Sequence, residues 1–380
     1  MELIERLAIL KRLKSKVKPQ KVVVILGARR VGKTKLIKEF IKNTKESYLL
    51  FNGEDQRTID AFEERSVANF KRIFRDIKLI IIDEAQKIPD IGNKLKLMVD
   101  ELDGIKIIAT GSSVFDLNNK LGEPLVGRAH TIYLYPIAQM EFNNHETFIQ
   151  TTENLSERLI FGTYPEILHY DKLDEKAEYL EEIVNSYLLK DILAFDGIKK
   201  SSKIMDLLKL IAFQIGKEVS IDELALQLKG ISRNTVENYL NLLSNVFIIY
   251  PIKGFSRNLR KEVTKTQRWY FYDNGIRNAI IRNYHPLNLR TDVGELWENY
   301  LMSERIKFIS YNQKLINQYF WRTYDQQEID LIEEENDKLN AYEFKWSTTR
   351  KIKPPGAWTK NYPEAGFQVV NPKNYLDFIC

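Results

Sequence analysis

At 380 residues, with 44% apolar and 11% aromatic positions, the chain has the length of two or three globular domains and is too apolar to be disordered. Its 57 basic and 52 acidic residues leave a formal charge of +5, which permits nucleic-acid contact without requiring it. A single cysteine, Cys380, excludes a disulfide framework or cysteine metal cage and fits a reducing cytoplasm, and the four scattered histidines lack zinc-ligand spacing.

The opening MELIERLAILKRLKSK alternates charge with aliphatics at helical spacing and carries no signal-peptide core. No apolar stretch approaches membrane-spanning length, so no membrane role is expected. From Val22 to about Ile137, short apolar runs (VVVIL, SYLLF, LIII, IKIIAT, TIYLY) alternate with helical segments. That rhythm predicts an α/β fold with a parallel sheet and helices on both faces. Residues 150–215 read as helical. Residues 218–285 read as helix, helix and two strands around a basic loop, a winged-helix pattern. From 293 a helix (VGELWENYLMSERIKF) precedes strands QYFWRTY, EIDLIEE, NAYEFKW and FQVVN. The expected division is 1–150, 151–287 and 288–380.

Directly after VVVIL stands Gly27-Ala28-Arg29-Arg30-Val31-Gly32-Lys33-Thr34-Lys35, which fits G-x-x-x-x-G-K-[ST]. Its glycines let successive N–H groups turn inward on phosphate oxygens, Lys33 brings a cation to the β/γ-phosphates, and the Thr34 hydroxyl suits Mg2+. A helix opening at about Lys33 would aim its positive end at the anion. ATP and Mg2+ are therefore the expected cofactors. The run LIIIDEAQ ends an all-apolar strand on Asp83, a direct or indirect partner of Mg2+, followed by Glu84, the candidate base that orients the attacking water. In IKIIATGSSV the polar end, with Thr110, Ser112 and Ser113, reaches the γ-phosphate if this strand lies between those carrying Gly27 and Asp83. Arg128 in LVGR precedes TIYLY and could reach a neighbour's nucleotide from a subunit edge, or form a surface salt bridge.

GARRVGKT, LIIIDEAQ, IIATGSSVFDL and LVGRAHTIYLYPI resemble the prokaryotic AAA+-type ATPases of the AAA_14 family. FGTYPEIL, SYLLKDI and GELWENYL resemble the DUF4143-like region that follows in such proteins. The resemblance implies an AAA+-like strand order, Asp83 and Glu84 as the hydrolytic pair, Ser112 or Ser113 near sensor one, Arg128 as finger and a homo-oligomer. It implies no known substrate. Arg29 and Arg30, typical of this resemblance, either add charge at the phosphates or touch a neighbouring subunit.

SRNTVENYLNLL has the form of a recognition helix, with Arg233 and Asn234 at its start, and the loop after it carries Arg257, Arg260 and Lys261. DNA is the partner this suggests; winged helices also serve as lids or protein-contact modules. Further on, Asp330 in QEIDLI and Glu343 and Lys345 in AYEFKW converge if their strands are antiparallel neighbours, with Glu298 joining from the preceding helix. Two carboxylates and a lysine suit metal-assisted phosphodiester hydrolysis, and the order resembles the PD-(D/E)xK nuclease core. Pro354 and Pro355 depart from it, standing where the core carries a helix. Two functions stay open: an ATP-driven DNA-processing enzyme, or an ATP-gated switch whose idle C-terminal domain recognises a partner. The appended domains and the Asp-Glu pair argue against a small-molecule kinase.

Overall fold

A computed structural model describes residues 4–112, 125–188, 201–256, 267–347 and 352–380. Ser113, Arg257, Arg260 and Lys261 lie outside these residues. The chain divides into two compact units: an N-terminal one running to Tyr135 together with Asn245–Phe247, and a C-terminal one of Pro136–Ser244 and Ile248–Cys380.

The N-terminal unit is built on five parallel strands: β1 (Val22–Leu26), β2 (Tyr48–Asn52), β3 (Leu79–Asp83), β4 (Lys106–Gly111) and β5 (Ala129–Tyr133). Their order is β2-β3-β4-β1-β5, so β4 lies between the strand leading into Gly27 and the strand ending on Asp83. β1 and β3 are buried throughout, which explains their unbroken aliphatic runs. Helices α1 (Leu7–Lys16), α2 (Lys33–Lys42), α3 (Gln56–Ala61), α4 (Val67–Phe74) and α5 (Ile91–Glu101) connect or flank the strands. Asp55 and Ser66 cap α3 and α4 through their side chains. Edge strand β2 turns Phe51 onto Phe62 and Phe74, at centroid distances of 5.1 and 6.1 Å, and leaves Tyr48 and Leu50 exposed. At that edge one sheet face lacks the helical cover expected from a buried parallel sheet.

The C-terminal unit opens with α6 (Gln139–Phe142), α7 (Phe148–Phe161) and α8 (Leu173–Glu182). Then come α9 (Ser201–Phe213), β6 (Glu218–Val219), α10 (Ile221–Leu228), α11 (Arg233–Asn245), β7 (Ile249–Gly254) and β8 (Gln267–Phe271). After α12 (Asn274–Ile281) follow α13 (Val293–Tyr311), β9 (Asn317–Arg322), β10 (Glu328–Glu335), β11 (Lys338–Phe344), α14 (Gly356–Asn361), β12 (Gly366–Val370) and α15 (Tyr375–Ile379). The sheet does not stop at the boundary expected near 287. β7 pairs with β9, and one seven-stranded sheet runs β12-β11-β10-β9-β7-β8-β6. The element after the Pro354-Pro355 pair is a short helix that the pair starts: Pro355 caps the six-residue α14, where a missing N–H costs nothing.

Two details of this sheet set its chemistry. β10 and β11 are antiparallel with Leu331 opposite Tyr342, and one further step of that register sets Asp330 opposite Glu343. On its other side β10 slips against β9 between Ile329 and Ile332, an extra residue at Asp330–Leu331. Such a bulge re-aims side chains. Ile329 and Ile332 both join the core with Trp321 and Trp358, whereas Leu331 joins the core with Trp297 and Phe344.

Candidate functional site: a phosphate loop and a buried carboxylate cluster

The loop between β1 and α2 has the geometry that its residue types demand. Gly32 adopts φ +99°, a left-handed conformation that side chains disfavour. A Cβ at Gly27 would stand 2.0 Å from the carbonyl oxygen of Leu134, so glycine is required there by the close approach of the chain leaving β5. Lys33, first residue of α2, is buried, and its ammonium donates to the carbonyls of Gly27 and Ala28 at 2.9 Å each. Val31 is buried, while Arg30, Thr34 and Lys35 are exposed.

The Thr34 hydroxyl donates to Asp83 Oδ2 at 2.7 Å, joining the loop to the end of β3. Thr110, fully buried at the end of β4, donates its hydroxyl to Asp83 Oδ1 and accepts the Glu84 amide N–H at 3.0 Å. Glu84 itself has left-handed backbone, φ 50° and ψ 44°, uncommon for a residue with a side chain and a mark of functional sites. Its Oε2 accepts from Gln86 Nε2 at 2.6 Å, and the same nitrogen donates to Ser112 Oγ at 3.1 Å. The structure thus brings Lys33, Thr34, Asp83, Glu84 and Ser112 together. Gln86 and Arg6 are additional. Arg6 donates to the carbonyls of Val31 at 3.2 Å and Tyr135 at 2.8 Å, bracing the loop. No motif marks Arg6; its partners lie 25 and 129 residues away.

Arg128 is placed elsewhere. It precedes β5, and its carbonyl accepts from the N–H of Val22, the first residue of β1. In a parallel sheet that is the edge opposite the phosphate loop, about 16 Å away over five residues of strand. Its guanidinium is partly exposed and pairs with Asp100 at 2.6 Å.

Among the winged-helix candidates, Arg233 bonds Asp222 at 2.8 Å and Glu237 at 3.2 Å, and Asn234 is exposed. The N-terminal end of α11 is closed by Ser232, whose Oγ accepts the Thr235 N–H at 3.2 Å.

In the second cluster, Lys345 Nζ bonds Glu343 Oε1 at 2.6 Å, and the Phe344 N–H donates to Asp330 Oδ2 at 2.7 Å. Glu298, on α13, accepts from the Tyr270 hydroxyl at 2.6 Å. Arg268 and Tyr270 of β8 complete the group. Arg268 is buried, donates to Glu328 Oε2 at 2.8 Å, stands 3.9 Å from Asp330 Oδ1 and lies over the Phe320 ring. Burial, then repulsion from Asp330, pushes the Glu298 carboxyl up to about 8. Burial, then repulsion from Glu343, pushes Asp330 up to about 7, against the Phe344 amide, Lys345 and Arg268. Among the described residues no three or more His, Cys, Asp or Glu side chains are grouped so as to hold a metal ion. No helix of the described residues is long and apolar enough to cross a membrane.

Comparison with known proteins agrees with the loop geometry. Residues 19–143 match the family model described as an AAA domain, and residues 152–287 and 293–376 match two domains of unknown function. An uncharacterized protein of Methanocaldococcus jannaschii is 26% identical over 376 residues, 93% of this chain and 82% of its own length. An uncharacterized protein of Mycobacterium tuberculosis is 24% identical over 92% of this chain and 76% of its own. The Walker-type ATPase of Pyrococcus abyssi superposes with a TM-score of 0.53 at 17% identity, covering 73% of this chain and 96% of its own. The chain has a P-loop ATPase-like fold. The stretch that matches an AAA domain includes the loop at Gly27–Thr34.

Proposed function

We propose that the chain is a Mg2+-dependent ATP hydrolase. The observation that carries this reading is the 2.7 Å bond from Thr34 to Asp83 across the mouth of a glycine loop, with Glu84 next in sequence. The residues present fit the cofactor. Backbone N–H groups from Gly27 to Thr34, with Lys33, would hold the phosphates, Arg29, Arg30 and Lys35 add charge around them, and Thr34 and Asp83 would hold Mg2+. Bound Mg2+ supplies charge stabilisation at the phosphate oxygens. Glu84 orients and deprotonates water, and Gln86, shared with Ser112, keeps its carboxylate in place. Lys33→Ala is expected to weaken ATP binding. Glu84→Gln is expected to bind ATP normally and turn over about a hundredfold or more slower. Native turnover in Glu84→Gln, measured as phosphate release, would remove Glu84 from its role.

Turnover is coupled to DNA on this reading. The succession α9, β6, α10, α11, β7, β8 is that of a winged helix, and the C-terminal cluster suits a nuclease-like domain by its residue types. Arg128, beyond reach of its own nucleotide, acts across an interface between copies of the chain. A second reading has a specific observation in its favour. Lys345 is tied to Glu343, and Asp330 is held by the Phe344 amide beside Arg268, which suits a switch whose C-terminal domain recognises a partner without cutting. Nicking of plasmid DNA with Mg2+ or Mn2+, lost in Lys345→Ala while ATP turnover persists, supports the enzyme; no nicking under any of these conditions supports the switch.

A further inference from the structure

Between Glu5 and Glu39 the chain contains no carboxylate, and Lys11, Arg12, Lys14, Lys16, Lys18 and Lys21 fall within that stretch. α1 carries the first four. Its apolar side, Ile9 and Leu13, is fully buried in the N-terminal unit. Lys11 and Lys14, three apart, share the outward face, and Lys18 is exposed just past the helix end. Arg12 reaches the carbonyl of Thr131 at 3.5 Å, and Lys21 bonds the carbonyl of Gly127, so the strip is fastened along edge strand β5. The lysines crowd there closely enough that burial together with Lys16, Lys21 and Lys18 holds the His130 imidazole below its ordinary range. Asp100 is occupied by Arg128.

We propose that the outer face of α1, with Lys11, Lys14 and Lys18, is a contact surface for the phosphate backbone of nucleic acid. The composition of the face selects this partner. Its exposed charges are Lys11, Lys14 and Lys18; the one exposed large apolar side chain of the helix is Leu7, 48% exposed, and no aromatic accompanies it. A protein interface needs a desolvated apolar centre. A membrane surface needs an apolar helix face, and the one on α1 is turned inward. One leucine does not make a desolvated apolar centre, whereas closely spaced ammonium groups suit a uniform line of phosphates, where affinity comes from counterion release and not from base edges. The face belongs to the N-terminal unit, whereas the start of α11 belongs to the C-terminal one, where Arg233 is held by two carboxylates of its own unit. The inference rests on nucleic acid being a partner of the chain.

The test is fluorescence anisotropy with a labelled 30-base-pair duplex of about three helical turns, titrated at about 50 and 200 mM salt. The proteins are the full chain, Lys11→Glu/Lys14→Glu/Lys18→Glu and the matching triple glutamine variant. Losing about three phosphate contacts lowers the salt slope by about 2.7, so the fourfold salt step changes affinity about 40-fold less than in the parent chain. Both triple variants are expected to show that loss while retaining parental ATP affinity, which checks the fold. Parental affinity and slope in the triple variants would overturn the surface even if DNA binds, since binding then lies elsewhere. No DNA binding by the parent would overturn the coupling to DNA as well. Binding of polyglutamate or phosphatidylserine vesicles, but not DNA, through the same lysines would assign the face to another partner and overturn the proposal.

Discussion

Thr110 offers the sharpest test of how the hydrolytic site is held. Its hydroxyl is the only described link between both residues of the Asp83-Glu84 pair, donating to the Asp83 carboxylate and accepting the Glu84 amide. Thr110→Val keeps the shape of this fully buried side chain and removes both bonds. The bond to a carboxylate is worth about 1.5–3 kcal/mol and the amide bond about 1 kcal/mol, so the loss is about 3 kcal/mol. For a unit of this size that lowers the melting temperature by about 10 °C. Turnover is expected to fall about tenfold to a hundredfold, because Glu84 sits in an uncommon backbone conformation and loses the acceptor that fixes its amide. ATP affinity stays near native, since Lys33 and the Thr34–Asp83 bond are untouched. Thr110→Ser retains the hydroxyl and loses one buried methyl, about 0.8 kcal/mol, so both properties should largely return. Calorimetry, ATP titration and phosphate release on the two variants read this directly. Native melting and native turnover in Thr110→Val would refute the account.

Two further outcomes are expected. Arg128→Ala should bind ATP and turn over slowly, and mixing it with Glu84→Gln protein should restore part of the activity by forming interfaces with both residues intact; a fully active Arg128→Ala protein rules out the interface role. Asp330 and Glu298, held near 7 and 8, bind protons more tightly folded than unfolded, so their contribution to stability is greatest below about pH 4 and is lost as pH rises through 7 to 8. Asp292, pushed down to about 2 by Arg290 and Arg277 against its burial, has the opposite sign, and its contribution is lost only as pH falls through that value. With chelator present, Asp330→Asn should therefore flatten the fall of melting temperature between about pH 5 and 8; an unchanged slope would show that the pair is not the titrating element.

The phosphate loop was legible because its chemistry is local. Eight consecutive residues carry the glycines, the lysine and the hydroxyl, and the neighbouring strands are aliphatic throughout. The strand order expected from the family resemblance, with β4 between β1 and β3, is the one found. What was not legible comes from distant segments. Arg6 braces the loop from before α1, and nothing around it forms a pattern. The position of Arg128 does follow from the chain, but only once strand direction is considered: a residue entering a parallel strand stands at the opposite edge from a loop that leaves one. The continuous seven-stranded sheet was hidden for a related reason. The pairing of β7 with β9 joins strands separated in the chain by β8, α12 and α13, and neither strand carries a signal for its neighbour.

The C-terminal cluster shows how far a spacing argument reaches. The alternation in EIDLI and AYEFKW correctly sets Asp330 across from Glu343, because antiparallel register follows from two residues per repeat. It is silent on the counter-charge. Among the described residues, Glu298, Glu328, Asp330 and Glu343 are offset by Arg268 and Lys345, four carboxylates against two cations when fully ionised. Arg268 comes from β8, some sixty residues before Asp330, and enters through β-sheet neighbours that the sequence does not announce. Its buried guanidinium accounts for how carboxylates can be packed so closely without a cage of metal ligands. Burial first, and repulsion between the carboxylates second, push two carboxyls of this cluster upward, so protons carry part of the excess at neutral pH. A cation entering the group would displace those protons. The pH profile of Asp330→Asn and the nicking assay on Lys345→Ala therefore examine one balance of charge from its two sides.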